Sequence, residues 1–193
     1  MAEPEDGETK VSGWGSVDLI AGNCGSEVSE WLSPFLGIRC QLVRIGPNFE
    51  RPLAKSPFAG DLVGFADAFP LLVLSEDSLN GLNDRLVSQG EEPVPMDPFR
   101  PNLVFAGSPE FAEDTWLRVR IGNLVLRAGG LCGRCIVTTT NQRIAERGKE
   151  PLRTLARYRR SPADPSRINF GQNFIRGPKS GSVEVGDLVS VLS

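Results

Sequence analysis

Two cysteines in a glycine-rich stretch are the residues of this chain best suited to metal or redox chemistry. Cys132 and Cys135 are separated by Gly133 and Arg134, and a β-branched run begins at Ile136. We predict that Cys135 lies where a loop becomes a strand, so that a rigid element holds its thiolate while glycine lets a ligand approach the backbone. Arg134 is the kind of positively charged neighbour that favours the ligating, deprotonated form of a thiol.

A Cys-x-x-Cys pair can also be a redox pair, half of a zinc site, or two buried small hydrophobic side chains. A structural zinc site needs four ligands, but the chain has no histidine, and Cys24 and Cys40 are not spaced as a second ligand pair. A thioredoxin-like pair usually opens a helix, whereas this pair precedes Ile136–Thr140, which has the composition of a strand. The residues therefore favour neither zinc nor disulfide exchange, and the possibility of a buried pair stays open.

The absence of histidine limits the catalytic and metal-binding arrangements that the chain can form. With 0 His residues, Ser-His, Cys-His and His-metal arrangements are all excluded. Carboxylates, arginines, thiols, hydroxyls or a bound cofactor are left to do any chemistry.

Length and charge bound the class of protein. A chain of 193 residues can bury a full core and is most simply one domain, and its net charge of -3 predicts no nucleic-acid partner. Four cysteines do not make a disulfide framework, and the sequence shows no signal peptide, so we predict a cytoplasmic protein. No apolar run approaches the roughly 20 residues that a membrane-spanning helix needs, so we predict no membrane segment.

Basic residues are concentrated in one part of the chain. This part contains Arg134, Arg143, Arg147, Lys149, Arg153, Arg157, Arg159, Arg160, Arg167 and Arg176. The concentration predicts an anion-binding face or, equally, a solvated helix surface.

Hydrophobic periodicity and turn residues predict the elements that position these side chains. We predict helices over Ser26–Gly37, after an N-cap at Ser75 and from Pro151, and a hairpin over Leu117–Leu126. Residues 1–17 are predicted to be a disordered leader. Many short strands and about three helices predict an α+β, β-rich fold built on a barrel or a curled sheet.

A second group of donors flanks a proline. Arg100 and Asn102 lie on either side of Pro101, immediately before the predicted strand Leu103–Ala106. This stiff pair suits a planar or anionic ligand. The residues alone favour a simpler interpretation, in which the pair ties down the loop.

Several short stretches resemble, in order and spacing, the MOSC domain, which is named for the C-terminal part of molybdenum cofactor sulfurases. These stretches are Leu74–Leu79, Phe99–Val104, Glu113–Trp116, Ile121–Gly122, Cys132–Thr139, Glu150–Leu155 and Val185–Asp187. The resemblance covers about residues 18 to 192 and implies a MOSC-type β-barrel over residues 18–193. It also implies a molybdenum cofactor, a Mo-molybdopterin, with Cys135 as its metal ligand and catalytic residue.

The resemblance further implies which residues bind the cofactor. Arg100 and Asn102 match positions that hold the pterin and its phosphate, which reverses the interpretation drawn from the residues alone. Arg134 matches another cofactor contact, and the turn at Asp67 and Ala68 matches a loop over the cofactor. Asn173 occupies a position that is tyrosine in some eukaryotic members, which leaves its role open.

Two functions follow from the resemblance. The sequence is more similar to the amidoxime-reducing members, which reduce N-hydroxylated compounds with electrons from a flavin or iron-sulfur protein. The alternative is the carrier module of a cofactor sulfurase, which holds the cofactor for sulfuration and delivers it to a molybdoenzyme acceptor. A fold relative without cofactor is a third hypothesis.

The resemblance also raises expectations about further domains. Reducing members usually carry an N-terminal β-barrel domain, and its absence before Asp18 leads us to expect a fragment or weaker cofactor binding. Pyridoxal phosphate binding is a property of the family at large, but the chain has no desulfurase domain with the lysine that this cofactor requires.

Overall fold

The computed structural model describes residues 7–53, 58–177 and 181–192. The chain divides into two compact units, Met1–Ala68 and Phe69–Ser193. In the described residues, the first unit contains strands β1 (Glu8–Gly13), β2 (Ser16–Asn23) and β3 (Val43–Ile45), and helix α1 (Ser26–Leu36). Its sheet has the order β1-β2-β3 with antiparallel neighbours.

Strands β1 and β2 occupy part of the predicted leader, so that prediction is wrong for the residues that these strands contain. β1 alternates between exposed and partly buried residues, and Val11 packs against the small core formed by Leu19, Ala21 and Phe49. A strand with one solvated face is compatible with the polar sequence that had indicated disorder. Residues 1–6 of the predicted leader lie outside the described residues, and the domain boundary at residue 18 stays a prediction.

Helix α1 has the predicted extent, with one difference, at its N-terminus. Gly37 closes it in the left-handed conformation, as expected, but Gly25 rather than Ser26 is the residue at the N-cap. The helix contributes no fully buried residue, and its stacked rings of Trp31 and Phe35 are 67% and 75% exposed.

The second unit is built on a six-stranded sheet of order β5-β4-β8-β7-β6-β9. The strands are β4 (Leu71–Ser75), β5 (Leu103–Phe105), β6 (Arg118–Ile121), β7 (Leu124–Arg134), β8 (Ile168–Arg176) and β9 (Val189–Leu192). Only the β4–β5 pair in this sheet is parallel, and helix α2 (Glu76–Val87) makes the crossover that a parallel pair requires.

Three α-helices in the described residues, with α3 at Leu152–Leu155, agree with the predicted number. The α+β, β-rich fold class is confirmed. The predicted hairpin is confirmed too, because β6 and β7 pair through Ile121 and Leu124. None of the helices in the described residues has the length and apolar character needed to cross a bilayer.

The sheet of the second unit packs on both faces. Consecutive residues Val73 and Leu74 of β4 belong to two different apolar clusters, as successive strand residues point to opposite faces. On one face, Leu82 and Leu86 of α2 are fully buried with Leu74. The core therefore fixes the strands that carry the candidate site.

Candidate functional site

Cys135 directly follows β7, which ends at Arg134. Its backbone is extended, and its free thiol is exposed, while Cys132 is partly buried. The Cys135 carbonyl accepts hydrogen bonds from the Thr138 N–H at 3.1 Å and the Thr138 hydroxyl at 2.9 Å. These bonds hold the backbone of Cys135, while the residue itself is exposed.

The element after Cys135 differs from the one that the sequence predicted. Ile136–Thr139 is a 3-10 helix rather than a strand, and the glycine-rich stretch before it is itself strand. The hydroxyls of Thr138 and Thr139 donate to the carbonyls of Cys135 and Ile136, and such bonds compete with strand formation. A following strand therefore no longer speaks against a redox pair, although Cys132 and Cys135 form no disulfide in the structure.

Arg134 is partly buried against the neighbouring elements. Its Nε donates to the Phe170 carbonyl at 2.7 Å and its Nη1 to the Phe99 carbonyl at 3.0 Å. Its Nη2 is buried without a hydrogen-bond partner. Burial lowers the pKa of the guanidinium, and the nearby Cys132 and Cys135 oppose that shift by favouring the charged form. Arg134 thus keeps a donor nitrogen that none of the described residues pairs with.

Arg100 and Asn102 lie on either side of Pro101, just before β5. Arg100 is exposed, has a left-handed backbone and follows Phe99, whose carbonyl binds Arg134. The Oδ1 of Asn102 accepts from the Leu72 N–H at 2.8 Å, and the Asn102 N–H donates to the Leu72 carbonyl. Asn102 therefore does tie the start of β5 to β4, and its side-chain amide nitrogen is still available to a ligand.

Asn173 lies in the same row of the sheet as Asn102. Leu72 of β4 pairs with Asn173 of β8, and Asn173 pairs with Gly130 of β7. Gly130 has φ +110°, which favours glycine, and a Cβ added there would have no atom within 4 Å. Open space therefore adjoins this row at Gly130.

The predicted site residues of the second unit form two groups along β7 and β8. Cys135, Arg134 and Arg100 are associated with the end of β7, where Arg134 pairs with Ile168. Asn102 and Asn173 lie in the second group. Asn173 follows Ile168 by five residues along β8, which corresponds to about 16 Å of extended chain. A ligand touching both groups would have to be elongated.

Asp67 and Ala68 belong to the first unit, whereas the other predicted site residues belong to the second. Both residues are exposed, and Arg51 donates to the carbonyl oxygens of Gly64, Ala66 and Asp67. These bonds fix the turn itself. A position over the cofactor stays a prediction for Asp67 and Ala68.

Sequence reasoning missed the groups that hold Arg134. The acceptors are the main-chain carbonyls of Phe99 and Phe170. Every residue type has such a carbonyl, so the sequence does not reveal which ones act as acceptors. It also missed the position of Arg167, whose Nε lies 3.3 Å from where a Cβ on Gly133 would be. A side chain at Gly133 would therefore be in tight contact with this guanidinium.

The donors present fit a molybdenum pyranopterin better than a metal ion bound by protein alone. Among the described residues, no group of three or more His, Cys, Asp or Glu side chains could hold a metal ion. One exposed thiol suits a metal that brings its remaining ligands with it. The buried unpaired Nη2 of Arg134 and the space at Gly130 would serve an elongated polar ligand.

A family model described as "MOSC domain" matches residues 61–190. The chain therefore belongs to the MOSC domain family. It is 39% identical over 192 residues to "Mitochondrial amidoxime-reducing component 1" of Mus musculus, a match that covers 91% of this chain and 54% of the relative.

Two further relatives carry the same kind of name. "Mitochondrial amidoxime-reducing component 1" of Homo sapiens is 36% identical, with 91% of this chain and 54% of the relative covered. "Mitochondrial amidoxime reducing component 2" of Bos taurus is 34% identical, with 90% and 53% covered. The chain thus spans about half the length of the curated relatives it matches.

The names of the relatives bear on two other predictions. They describe mitochondrial proteins, whereas the sequence led us to predict a cytoplasmic one, so the compartment of this chain stays a prediction. They say nothing of pyridoxal phosphate, and that family property gains no support here.

Proposed function

We propose that this chain is the molybdenum-cofactor-binding domain of a reductase that acts on N-hydroxylated compounds. The observation that carries the proposal is the exposed thiol of Cys135 next to Arg134, whose Nη2 is buried without a partner. Membership of the MOSC domain family and relatives named for amidoxime reduction support it further.

Cys135 would bind the metal through its thiolate and is the proposed catalytic residue. Arg134, already fixed by two carbonyls, would donate its remaining Nη2 to the cofactor and contribute a positive charge beside the thiolate. The exposed Ile136 and Val137 follow Cys135, so a substrate could reach this end of β7 from solvent.

The remaining predicted residues would hold the organic part of the cofactor. Arg100 would pair with its phosphate, while the amide nitrogen of Asn102 and the side chain of Asn173 would bind the pterin. Asp67 and Ala68 would form the turn that covers it.

When bound, the cofactor would supply the two-electron redox chemistry of the reaction. Reduction of an N–OH group consumes two electrons and two protons, breaks the N–O bond and gives N–H and water. The electrons would come from a flavin or iron-sulfur protein. The alternative function, a sulfurase carrier that serves a molybdoenzyme acceptor, has no separate observation in its favour.

Molybdenum content tests the metal ligand directly. The protein should be purified from cells that make the cofactor, as wild type, Cys135→Ala and Cys132→Ala. We expect Cys135→Ala to lose most of its molybdenum, because the thiolate is the protein's bond to the metal, and Cys132→Ala to retain it. Equal molybdenum in wild type and Cys135→Ala would refute the assignment.

Turnover separates the two functions. Benzamidoxime reduction with an artificial electron donor should proceed in wild type and stop in Cys135→Ala. A protein that binds molybdenum but leaves benzamidoxime unchanged would instead favour the carrier.

A further inference from the structure

A groove beside Cys135 is bordered by basic side chains, and the proposed function does not use it. It has a volume of about 620 Å³, and its basic residues are Lys149, Arg153, Arg157 and Arg160. Within the part of the chain that the structure describes, its lining contains no carboxylate. We call this feature the basic groove.

Most of the positive charge in the basic groove is not neutralised. Arg153 forms ion pairs with Glu91 and Glu150. Arg157 donates instead to the uncharged side-chain oxygen of Gln89, and Arg160 to the Pro165 carbonyl at 2.6 Å. Lys149 is exposed. Three cations of the described lining therefore remain for an external anionic partner.

The floor of the basic groove is apolar. Leu152 and Ala156 contribute partly buried side chains, and Ile136 is 53% exposed. An apolar centre with a charged rim is the usual composition of a protein interface. Complementary charge then accelerates association and fixes orientation.

The basic groove adjoins the proposed metal ligand. Ile136 lines the groove and directly follows Cys135, and consecutive Cα atoms are about 3.8 Å apart. A protein seated in the groove would therefore lie beside the residue that we propose holds the metal. This position suits a partner that delivers electrons to the site.

We propose that the basic groove docks the acidic surface of the protein that donates electrons to this site. The inference rests on the proposed function, and it identifies the electron donor by the negative charge of its surface. Each turnover requires two electrons, so the donor is oxidised by two electrons in total while N–OH becomes N–H and water. Weak electron-transfer encounters use small interfaces, and a short groove is sufficient for one.

The arrangement favours a protein over other anions. Arg153 pairs with Glu91 and Glu150, while Arg157 and Arg160 bond to Gln89 and the Pro165 carbonyl, so the three guanidinium groups are held by different parts of the chain and do not converge on a single phosphate. The net charge of -3 on the whole chain opposes binding of an extended polyanion such as a nucleic acid.

Charge reversal with a matched control tests the docking. The groove variant is Lys149→Glu/Arg157→Glu, and the control is Arg118→Glu/Arg120→Glu, which alters exposed residues of β6 by the same charge. Binding to two acidic carriers, a plant-type ferredoxin and a flavodoxin, is measured by calorimetry at low and high salt. Circular dichroism checks that both variants are folded.

We expect wild type to bind at least one carrier at low salt and more weakly at high salt. The groove variant should bind roughly tenfold more weakly or worse, and the control within about twofold of wild type. Equal losses in both variants, or no binding to either carrier, would overturn the proposal. So would binding of a single-stranded oligonucleotide as tightly as the carriers.

Turnover with a small donor keeps the two proposals apart. Benzamidoxime reduction by dithionite-reduced benzyl viologen should be equal in wild type and both variants, because this donor needs no docking surface. Absence of that activity in wild type would refute the reductase, whereas the carrier-binding result would stand or fall independently.

Discussion

Arg134 shows how one side chain can serve both the fold and the proposed site. Its two carbonyl partners belong to different parts of the second unit, Phe99 at the end of a 3-10 helix and Phe170 in β8. A guanidinium can reach both while keeping a third nitrogen, whereas an ammonium cannot reproduce this fork. The residue type is therefore dictated by geometry as well as by charge.

Arg134→Lys should destabilise the cofactor-free protein. Losing these hydrogen bonds leaves carbonyls of two buried residues without partners, at a cost of about 1–3 kcal/mol in the free energy of unfolding. The exposed Arg100→Lys should change it by less than about 0.5 kcal/mol. Urea denaturation of both variants measures the difference, and equal effects would contradict this structural role.

At the scale of single residues, the prediction rested on residue types and specified few of their contacts. Cys135 was predicted from the sequence as a metal ligand, and its exposed free thiol suits that role. The bond from Leu72 to Asn102 shows that a residue chosen as a ligand contact also stabilises the loop. Which of two such roles a side chain has depends on neighbours distant in sequence, and local pattern does not specify them.

At the scale of elements, the prediction was wrong where side-chain hydrogen bonds overrode propensity. The β-branched residues Ile136–Thr139 are typical of a strand, yet threonine hydroxyls bonded to nearby carbonyls stabilise a 3-10 helix. Conversely, β7 contains glycines that usually interrupt strands. Its irregular register at Ala128/Gly130 and Leu131/Gly133 accommodates them.

Glu113 joins two elements of the second unit. Its fully buried carboxylate accepts from the Ser75 N–H at 3.3 Å and from the Ser78 hydroxyl at 3.0 Å, at the start of α2. Burial raises the pKa of Glu113, although these hydrogen bonds oppose the shift. The sequence motif Glu113–Trp116 therefore has a structural role.

Glu113→Gln should make stability less dependent on pH. Since the folded-state pKa is raised, the folded protein binds the proton more tightly than the unfolded chain does. That contribution is complete below the ordinary carboxyl pKa and is lost as the pH rises through the raised value. The free energy of unfolding should therefore fall more steeply in wild type than in Glu113→Gln above about pH 4. Denaturation series at several pH values measure this, and parallel curves would contradict it.

At the scale of the whole molecule, local pattern predicted the elements better than their arrangement. The β6–β7 hairpin follows from adjacent residues, whereas β8 lies between β4 and β7 and pairs with β4 across about a hundred residues of chain. The division into two units was not predicted either. Long-range pairing depends on the complete core, and a periodicity of a few residues does not encode it.

Loading with the cofactor should stabilise the protein as a whole. A ligand that binds only the folded state adds about 2.7 kcal/mol at a concentration one hundred times its Kd. Protein from cells that make the cofactor should have a higher Tm than protein from cells that do not, as measured by calorimetry. Cys135→Ala should reduce this difference, and the same Tm in loaded and empty protein would count against the site.

The distribution of the 3 tryptophans between the units gives the molecule an optical property. Trp14 and Trp31 of the first unit are exposed, whereas Trp116 of the second is buried. An indole in water emits at longer wavelengths than one in an apolar interior. The red and blue edges of the emission spectrum therefore report on different units, and each can be followed as the chain unfolds without attaching a dye.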